Sequence, residues 1–199
     1  DKGAPLNSAI LFDERGSYSG RYDKLYLVPF GEYIPPLFSW VNRITQEAGD
    51  FTPGRNLTVL RAAGRATGVF ICYESAFPYL VRRFPEQGAE VLINLSNDGY
   101  FGRSAAREQH LLLVRMRAAE NRRWILRATN DGLTATIDPA GRVVHQLPPY
   151  AELSARTGYS YVSARTMYTN HGDWFVWLCA LAALAAIIER QIPRYHPPR

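Results

Sequence analysis

The chain has 199 residues, 47% of them hydrophobic and 21% charged, a balance that fits one packed domain and excludes a disordered tail or a collagen-like repeat. Its net charge of +5 conceals a lopsided set of cations, 21 arginines against two lysines, Lys2 and Lys24. The arginines are spread without a run, which argues against a nucleic-acid footprint, and two cysteines, Cys72 and Cys179, exclude a disulfide framework or a four-thiolate metal site.

In chain order, the sequence opens on Asp1-Lys2-Gly3 with neither an initiator methionine nor an apolar leader, the start expected of a fragment or a processed chain. Residues 8–13 (SAILFD) form an apolar run closed by a Glu14-Arg15-Gly16 turn, which predicts a strand. Residues 56–61 and 66–72 flank Gly64 and read as two strands joined tightly. A helix is predicted over 75–84, where Phe77, Leu80, Val81 and Phe84 fall at helical spacing and Pro78 lies near the start. Residues 91–95 (VLINL) are continuously apolar apart from Asn94, as in a strand buried on both faces. The strongest helix covers 104–123, capped by Ser104, with Leu111, Leu112, Met116 and Ala119 as its apolar stripe. Strands over 124–129 and 133–137 flank Asn130-Asp131-Gly132, a hairpin signal, and Pro139-Ala140-Gly141 turns the chain into a last strand over 142–147. Strands and helices alternating, then a meander, define an α/β layered fold.

Near the end the composition changes. Residues 174–188 (WFVWLCALAALAAII) carry no charge over 15 positions. At 1.5 Å per residue they cover about 22 Å, and flanking residues out to 192 bring the segment near the ~30 Å of a hydrocarbon core. A buried core helix is the competing reading. Apolarity on every face, with Trp174 and Trp177 at one end and arginines at the other, favours a membrane anchor. Arg190, Arg194 and Arg199 follow the segment, whereas Arg165 alone precedes it closely, so the positive-inside rule puts the tail in the cytoplasm and the α/β body outside. The organisation expected is a body over 1–166, a membrane helix with its lead-in over 167–192, and a cytoplasmic tail over 193–199.

Several residues could carry chemistry. Cys72 closes an apolar strand where a helix begins, a turn that sets a side chain beside free N–H groups and the positive helix end, favouring a thiolate and an oxyanion. A buried structural cysteine is the competing reading there, and Cys179, inside the apolar segment, is a packing residue. Lys24 stands in a chain that uses arginine for nearly every other cation, which points to a requirement for a compact ammonium over a mere surface charge. Glu32 follows the strand-like LVPF run and Gly31. The four histidines show no metal-ligand spacing, and His110, on the long helix, reads as a satisfied polar residue more than as the base of a cysteine–histidine hydrolase. Residues 94–102 (NLSNDGYFG) form a polar, glycine-bearing loop at the strand end where α/β folds place ligand contacts.

Together, residues 22–36 (YDKLYLVPFGEYIPP), 68–78 (GVFICYESAFP), 92–102 (LINLSNDGYFG) and 107–143 resemble the nitrilase superfamily, and most closely its branch of apolipoprotein N-acyltransferases of bacterial inner membranes. The likeness runs over most of residues 8–190. It implies a nitrilase-like αββα sandwich, here without its first βα units, followed by one C-terminal transmembrane helix. It also implies a Glu–Lys–Cys site in which Cys72 takes an acyl chain as a thioester and Lys24 stabilises the oxyanion and holds the thiolate. Glu32 would orient the lysine or assist the proton relay, and Tyr73 and Glu74 would shape the acyl site. The implied acyl donor is a phospholipid, the acceptor is the α-amino group of a diacylated apolipoprotein's N-terminal cysteine, and no metal or cofactor takes part. The catalytic body would face the periplasmic side of the inner membrane.

The chain departs from this family pattern in two ways. The family's general base is a glutamate on a strand before the lysine, in a Pro-Glu-Ser-like setting, whereas Glu14 is the sole glutamate upstream of Lys24 and its turn does not match. The multi-helix membrane domain that precedes the family's catalytic domain has no counterpart either. The expectation is a C-terminal portion that is incompetent or slow by itself. A soluble nitrilase-type amidase and a non-catalytic membrane-anchored remnant are the competing readings.

Overall fold

The apolar run at 8–13 and the stretch after its turn pair as an antiparallel hairpin of β1 (Ser8–Phe12) and β2 (Tyr18–Asp23). Asp13 makes the turn, its Oδ1 accepting from the N–H groups of Arg15 and Ser17 at 2.9 and 2.8 Å. β2 (YSGRYD) has no pattern that betrays it, because Tyr22 is its one buried residue. That ring meets Phe84 edge-on at 5.5 Å, which ties the hairpin to the rest of the molecule. The computed structural model describes residues 5–35, 37 and 51–191. The Asp1-Lys2-Gly3 opening and the expected tail over 193–199, with Arg194 and Arg199, lie outside the described residues.

The main sheet has six strands in sequence order: β3 (Val59–Ala62), β4 (Arg65–Ile71), β5 (Val91–Ser96), β6 (Ile125–Thr129), β7 (Ala135–Ile137) and β8 (Val143–Gln146). β4, β5 and β6 run parallel, whereas the outer pairs are antiparallel. Parallel returns need crossovers, and here the crossovers carry the helices. Phe70, Val81, Phe84, Leu92, Val114, Ile125 and Ile137 are all fully buried and form the centre of the core. Gly68 is fixed by this packing: a Cβ there would lie 2.7 Å from Leu92 Cδ2 and from Phe84 Cβ. Ile93 and Leu95, expected to be buried, are only half-buried, so β5 is sealed on one face and partly open on the other.

Two helix expectations need correction. The helix over 75–84 is instead a 3₁₀ turn (Cys72–Ala76) followed by α1 (Pro78–Val81) and α2 (Arg83–Glu86). Pro78 opens α1, and Pro85 has no N–H to offer the Val81 carbonyl, so no single helix can run through both. The long helix, α3 (Ala106–Asn121), forms, but of the expected stripe only Leu111 is buried. Its inner face is instead Arg107, His110, Leu111, Val114, Arg117, Ala118 and Asn121, a helical spacing in which four of the seven are polar and partnered. Ser104 sits one place before the N-cap, its Oγ accepting weakly from Ala106 N at 3.4 Å.

After β8 the chain crosses the surface without regular structure to α4 (Met167–His171). Arg123, fully buried, secures this strap by donating to the carbonyls of Ala89, Asn121, Arg122 and Ala164. The final helix, α5 (Trp174–Gln191), is long and apolar enough to cross a membrane, spanning about 27 Å at 1.5 Å per residue. None of its residues is buried, so it is not a core helix of this body.

Candidate active site

The C-terminal ends of three parallel strands converge, as open α/β sheets place their ligand sites. Cys72 follows β4, Asn97 and Asp98 follow β5, and Asn130 follows β6. Around them opens a cavity of about 910 Å³ whose walls are mostly apolar: Val28, Phe51, Phe101 and Leu113 contribute, with Cys72, Tyr73 and Glu32 also at its surface.

Cys72 is half-buried, and its backbone sits in the left-handed region at φ +49° although it is not glycine. Such a conformation costs on the order of 1–3 kcal/mol and persists only where neighbours enforce it. It turns the chain from β4 directly into the 3₁₀ turn, whose first N–H groups have no acceptor within the turn. N–H groups at the start of such a turn lie beside a half-buried thiol, where an oxyanion could draw on them.

Lys24, at the end of β2, is 1% exposed. Its Nζ donates to both oxygens of Glu32, at 2.8 and 2.7 Å. Glu32 also accepts from Asn7 Nδ2 at 2.6 Å and from the N–H of Val28 at 2.7 Å. The carboxylate is therefore saturated, and the ammonium is held with two of its three N–H groups taken. The backbone of Lys24 is fixed as well, its N–H on the Asn7 carbonyl and its carbonyl receiving Gly54 N, both at 2.8 Å.

Glu74, which the resemblance implies shapes the acyl site, does not itself line the cavity. It is fully buried beneath the site, where Oε1 accepts from Tyr22 Oη at 2.8 Å, Leu25 N at 2.7 Å and Tyr26 N at 3.3 Å. Its other oxygen accepts from Ile71 N at 2.7 Å. Burial pushes its carboxyl up, against the pull of these donors, and the carboxylate in turn pushes the Tyr22 phenol up on top of that ring's own burial. Glu74 thus clips the segment that carries Lys24 to the strand end that carries Cys72. Tyr73, by contrast, lies on the cavity surface and packs edge-on against Phe77 at 4.9 Å.

A second set of residues joins the 94–102 loop to His110, which is satisfied by its partners as its sequence reading has it, and to Arg127, which the sequence did not single out. His110 reaches from α3 to the Cys72 carbonyl, with Nε2 at 3.1 Å. Its Nδ1 lies 3.0 Å from Asp98 Oδ1, and Arg127 Nη2 donates to Asp98 Oδ2 at 2.6 Å. Burial alone would raise the Asp98 carboxyl, but hydrogen bonds from His110 and Ser96 and the Arg127 guanidinium outweigh it and hold the group at about 2. Gly132 makes room for this carboxylate, since a Cβ there would collide with Asp98 Oδ2. Among the described residues, no cluster of side chains has the makings of a metal site.

A mixed sheet whose central parallel strands carry a cysteine at a strained strand end, with a lysine-bound glutamate at the surface of the same cavity, defines a cysteine-centred α/β site. The sequence profile of the carbon–nitrogen hydrolase family matches residues 1–160, and the chain belongs to that family. It is 37% identical over 195 residues to the apolipoprotein N-acyltransferase of Geobacter metallireducens, a match covering 96% of this chain and 37% of that protein. The chain spans just over a third of the length of the curated relatives it matches. Among solved structures, a Saccharomyces cerevisiae member of branch 10 of the nitrilase superfamily shares the fold, with TM-score 0.54, 23% identity, and coverage of 72% of this chain and 49% of that one. An amidase variant from Nesterenkonia sp. AN1, shown after Michael addition of acrylamide at its active-site cysteine, aligns with TM-score 0.52, 25% identity, and coverage of 70% and 52%.

Proposed function

We propose that this chain carries the thioester-forming part of an apolipoprotein N-acyltransferase. Cys72 Sγ attacks the carbonyl of a phospholipid ester, the ester C–O bond breaks, and the lysophospholipid leaves as an alcohol that takes up the thiol proton. The α-amine of a lipoprotein's N-terminal cysteine then attacks the thioester; the C–S bond breaks, an amide forms and the amine proton restores the thiol. The third N–H of the Lys24 ammonium and the leading N–H groups of the 3₁₀ turn serve the oxyanion in both steps, and Glu32 keeps the ammonium charged and aimed. Tyr73 lines the passage for the acyl chain, while Glu74 supports it from below.

The observation that carries this reading is that Cys72 and Glu32 line one largely apolar cavity, with Lys24 buried behind it on the Glu32 carboxylate, in a chain so similar to a named N-acyltransferase. Among the described residues no uncommitted carboxylate lines that cavity, so thioester formation by this chain alone is slow. In the same reading residues 1–166 are the catalytic body, 167–192 anchor it in the inner membrane, and the body faces the periplasm with the C-terminus in the cytoplasm. The test is to incubate the full-length protein with phospholipid in detergent and to look for an acyl mass on the peptide containing Cys72. The adduct is expected in the parent and absent from Cys72→Ala; equal labelling of the two overturns the assignment.

A further inference from the structure

Phe70, Asn94 and Arg127 are register neighbours across β4, β5 and β6, so their side chains stand in a row on one face of the sheet. Asn94 Nδ2 donates to the Phe70 carbonyl at 3.2 Å, and Arg127 Nη1 donates to Asn94 Oδ1. Arg127 continues to Asp98, Asp98 to His110, and His110 to the Cys72 carbonyl. Ser96 Oγ and Asn130 Oδ1 hold Asp98 from its other sides, at 2.6 Å to its carboxylate and 2.9 Å to its N–H. A closed chain of buried hydrogen bonds thus leaves β4 at residue 70 and returns to it at residue 72, gripping the strand end on both sides of Ile71.

A backbone carbonyl can only accept, so the proton between His110 and Cys72 belongs to Nε2. That nitrogen therefore cannot take the thiol's proton, which removes the cysteine–histidine hydrolase reading on chemical grounds. What the contact can do is fix the peptide unit that follows Cys72, the unit that must be held if φ is to stay at +49°. The row is anchored to the sheet rather than to a loop, which makes it stiff enough for that purpose.

We propose that His110 is a positioning residue for the thiol: braced by Asp98 and Arg127, its Nε2–H bond to the Cys72 carbonyl holds the left-handed turn that presents Sγ to the cavity. This deepens the acyltransferase reading and rests on its choice of Cys72 as nucleophile.

The test separates the hydrogen bond from the fold. A glutamine amide reaches about as far as an imidazole Nε2, whereas an asparagine amide reaches only as far as Nδ1. In the full-length protein, His110→Asn is expected to slow iodoacetamide labelling of Cys72, read by peptide mass, about tenfold, the factor one buried hydrogen bond carries. It should lower kcat for thioester formation by a similar factor with KM nearly unchanged, and His110→Gln should recover most of both. Equal rates in parent and both variants, or equal losses in both variants, overturn the proposal. Should His110→Asn fail to fold, Asp98→Asn replaces it: slowed labelling there with labelling retained in His110→Gln supports the brace, and the reverse order overturns it. Iodoacetamide labelling does not require acyl transfer. Labelling in the expected order without any acyl adduct would therefore sink the acyltransferase reading alone, and adducts forming equally fast in every variant would sink the brace alone.

Discussion

Glu74 shows how one side chain can set the distance between two others. Its two oxygens collect four donors from β2, from the segment after Lys24 and from the end of β4. Glu74→Ala strands all four in a buried place, and since an unsatisfied buried group costs about 1–3 kcal/mol, a loss of at least ~3 kcal/mol is expected in urea unfolding. Lys24→Arg tests the next residue along. A planar guanidinium cannot place a point charge where Glu32 holds the ammonium, so thioester formation should fall by ~100-fold or more while the fold survives. Asp98 makes a pH prediction whose sign follows from its lowered carboxyl. Held at about 2 against an ordinary 3.8, it stabilises the fold fully above pH 3.8 and loses that contribution as pH falls through about 2. Asp98→Asn should therefore be less stable near neutrality and show a flatter acid limb between those two values in thermal melts.

At the scale of elements, Gly68 offers the cleanest check on the packing of β4 against α2. Gly68→Ala would put a Cβ 2.7 Å from Leu92 Cδ2 and from Phe84 Cβ, pushing both aside, and should cost about 1–3 kcal/mol by overpacking, again read from unfolding curves. The same elements show what a sequence reveals. β4, β5 and β6 are legible because buried parallel strands read as apolar runs; Cys72 stands out as the close of one such run and Lys24 as a rare lysine, whereas the strand-like run before Glu32 forms no strand and Glu32 lies in a turn. The inner face of α3 is not legible in that way. Arg107, His110 and Arg117 look like surface charges until partners from other elements are placed beside them. His110 and Asp98 are 12 positions apart and Asp98 and Arg127 are 29, separations that only the sheet register closes. A hydrophobic-stripe reading therefore picks Leu112 and Met116, both about half exposed, over the polar residues that the fold buries. The helix over 75–84 fails for a simpler reason: apolar spacing says nothing about the missing N–H of Pro85.

At the scale of the whole molecule, the body and α5 obey different rules. The body buries its apolar surface against itself, whereas α5 leaves Trp174, Phe175, Trp177, Leu181 and Ile188 each at least two-fifths exposed. An uncovered apolar helix of this length is long enough to cross a lipid core, which the proposed anchoring role requires. The intact chain should float with phospholipid vesicles on a density gradient, and a chain lacking residues 174–191 should stay in the aqueous layer; retention of the shortened chain on vesicles would assign membrane binding to the body instead.

The way α4 is fastened then acquires a mechanical meaning. Thr166 Oγ1 donates to the Glu120 carbonyl at 2.7 Å, Thr169 Oγ1 to Asn121 Oδ1 at 3.0 Å, and Arg82 Nη1 to the Thr169 carbonyl at 3.0 Å. If α5 anchors the body as proposed, tension or drag on it would enter through these three moorings, two of which grip the last turn of α3. That helix is also the one from which His110 reaches the Cys72 carbonyl, so on the proposed anchoring such a load would run along the same rod that carries the contact to the thiol's residue.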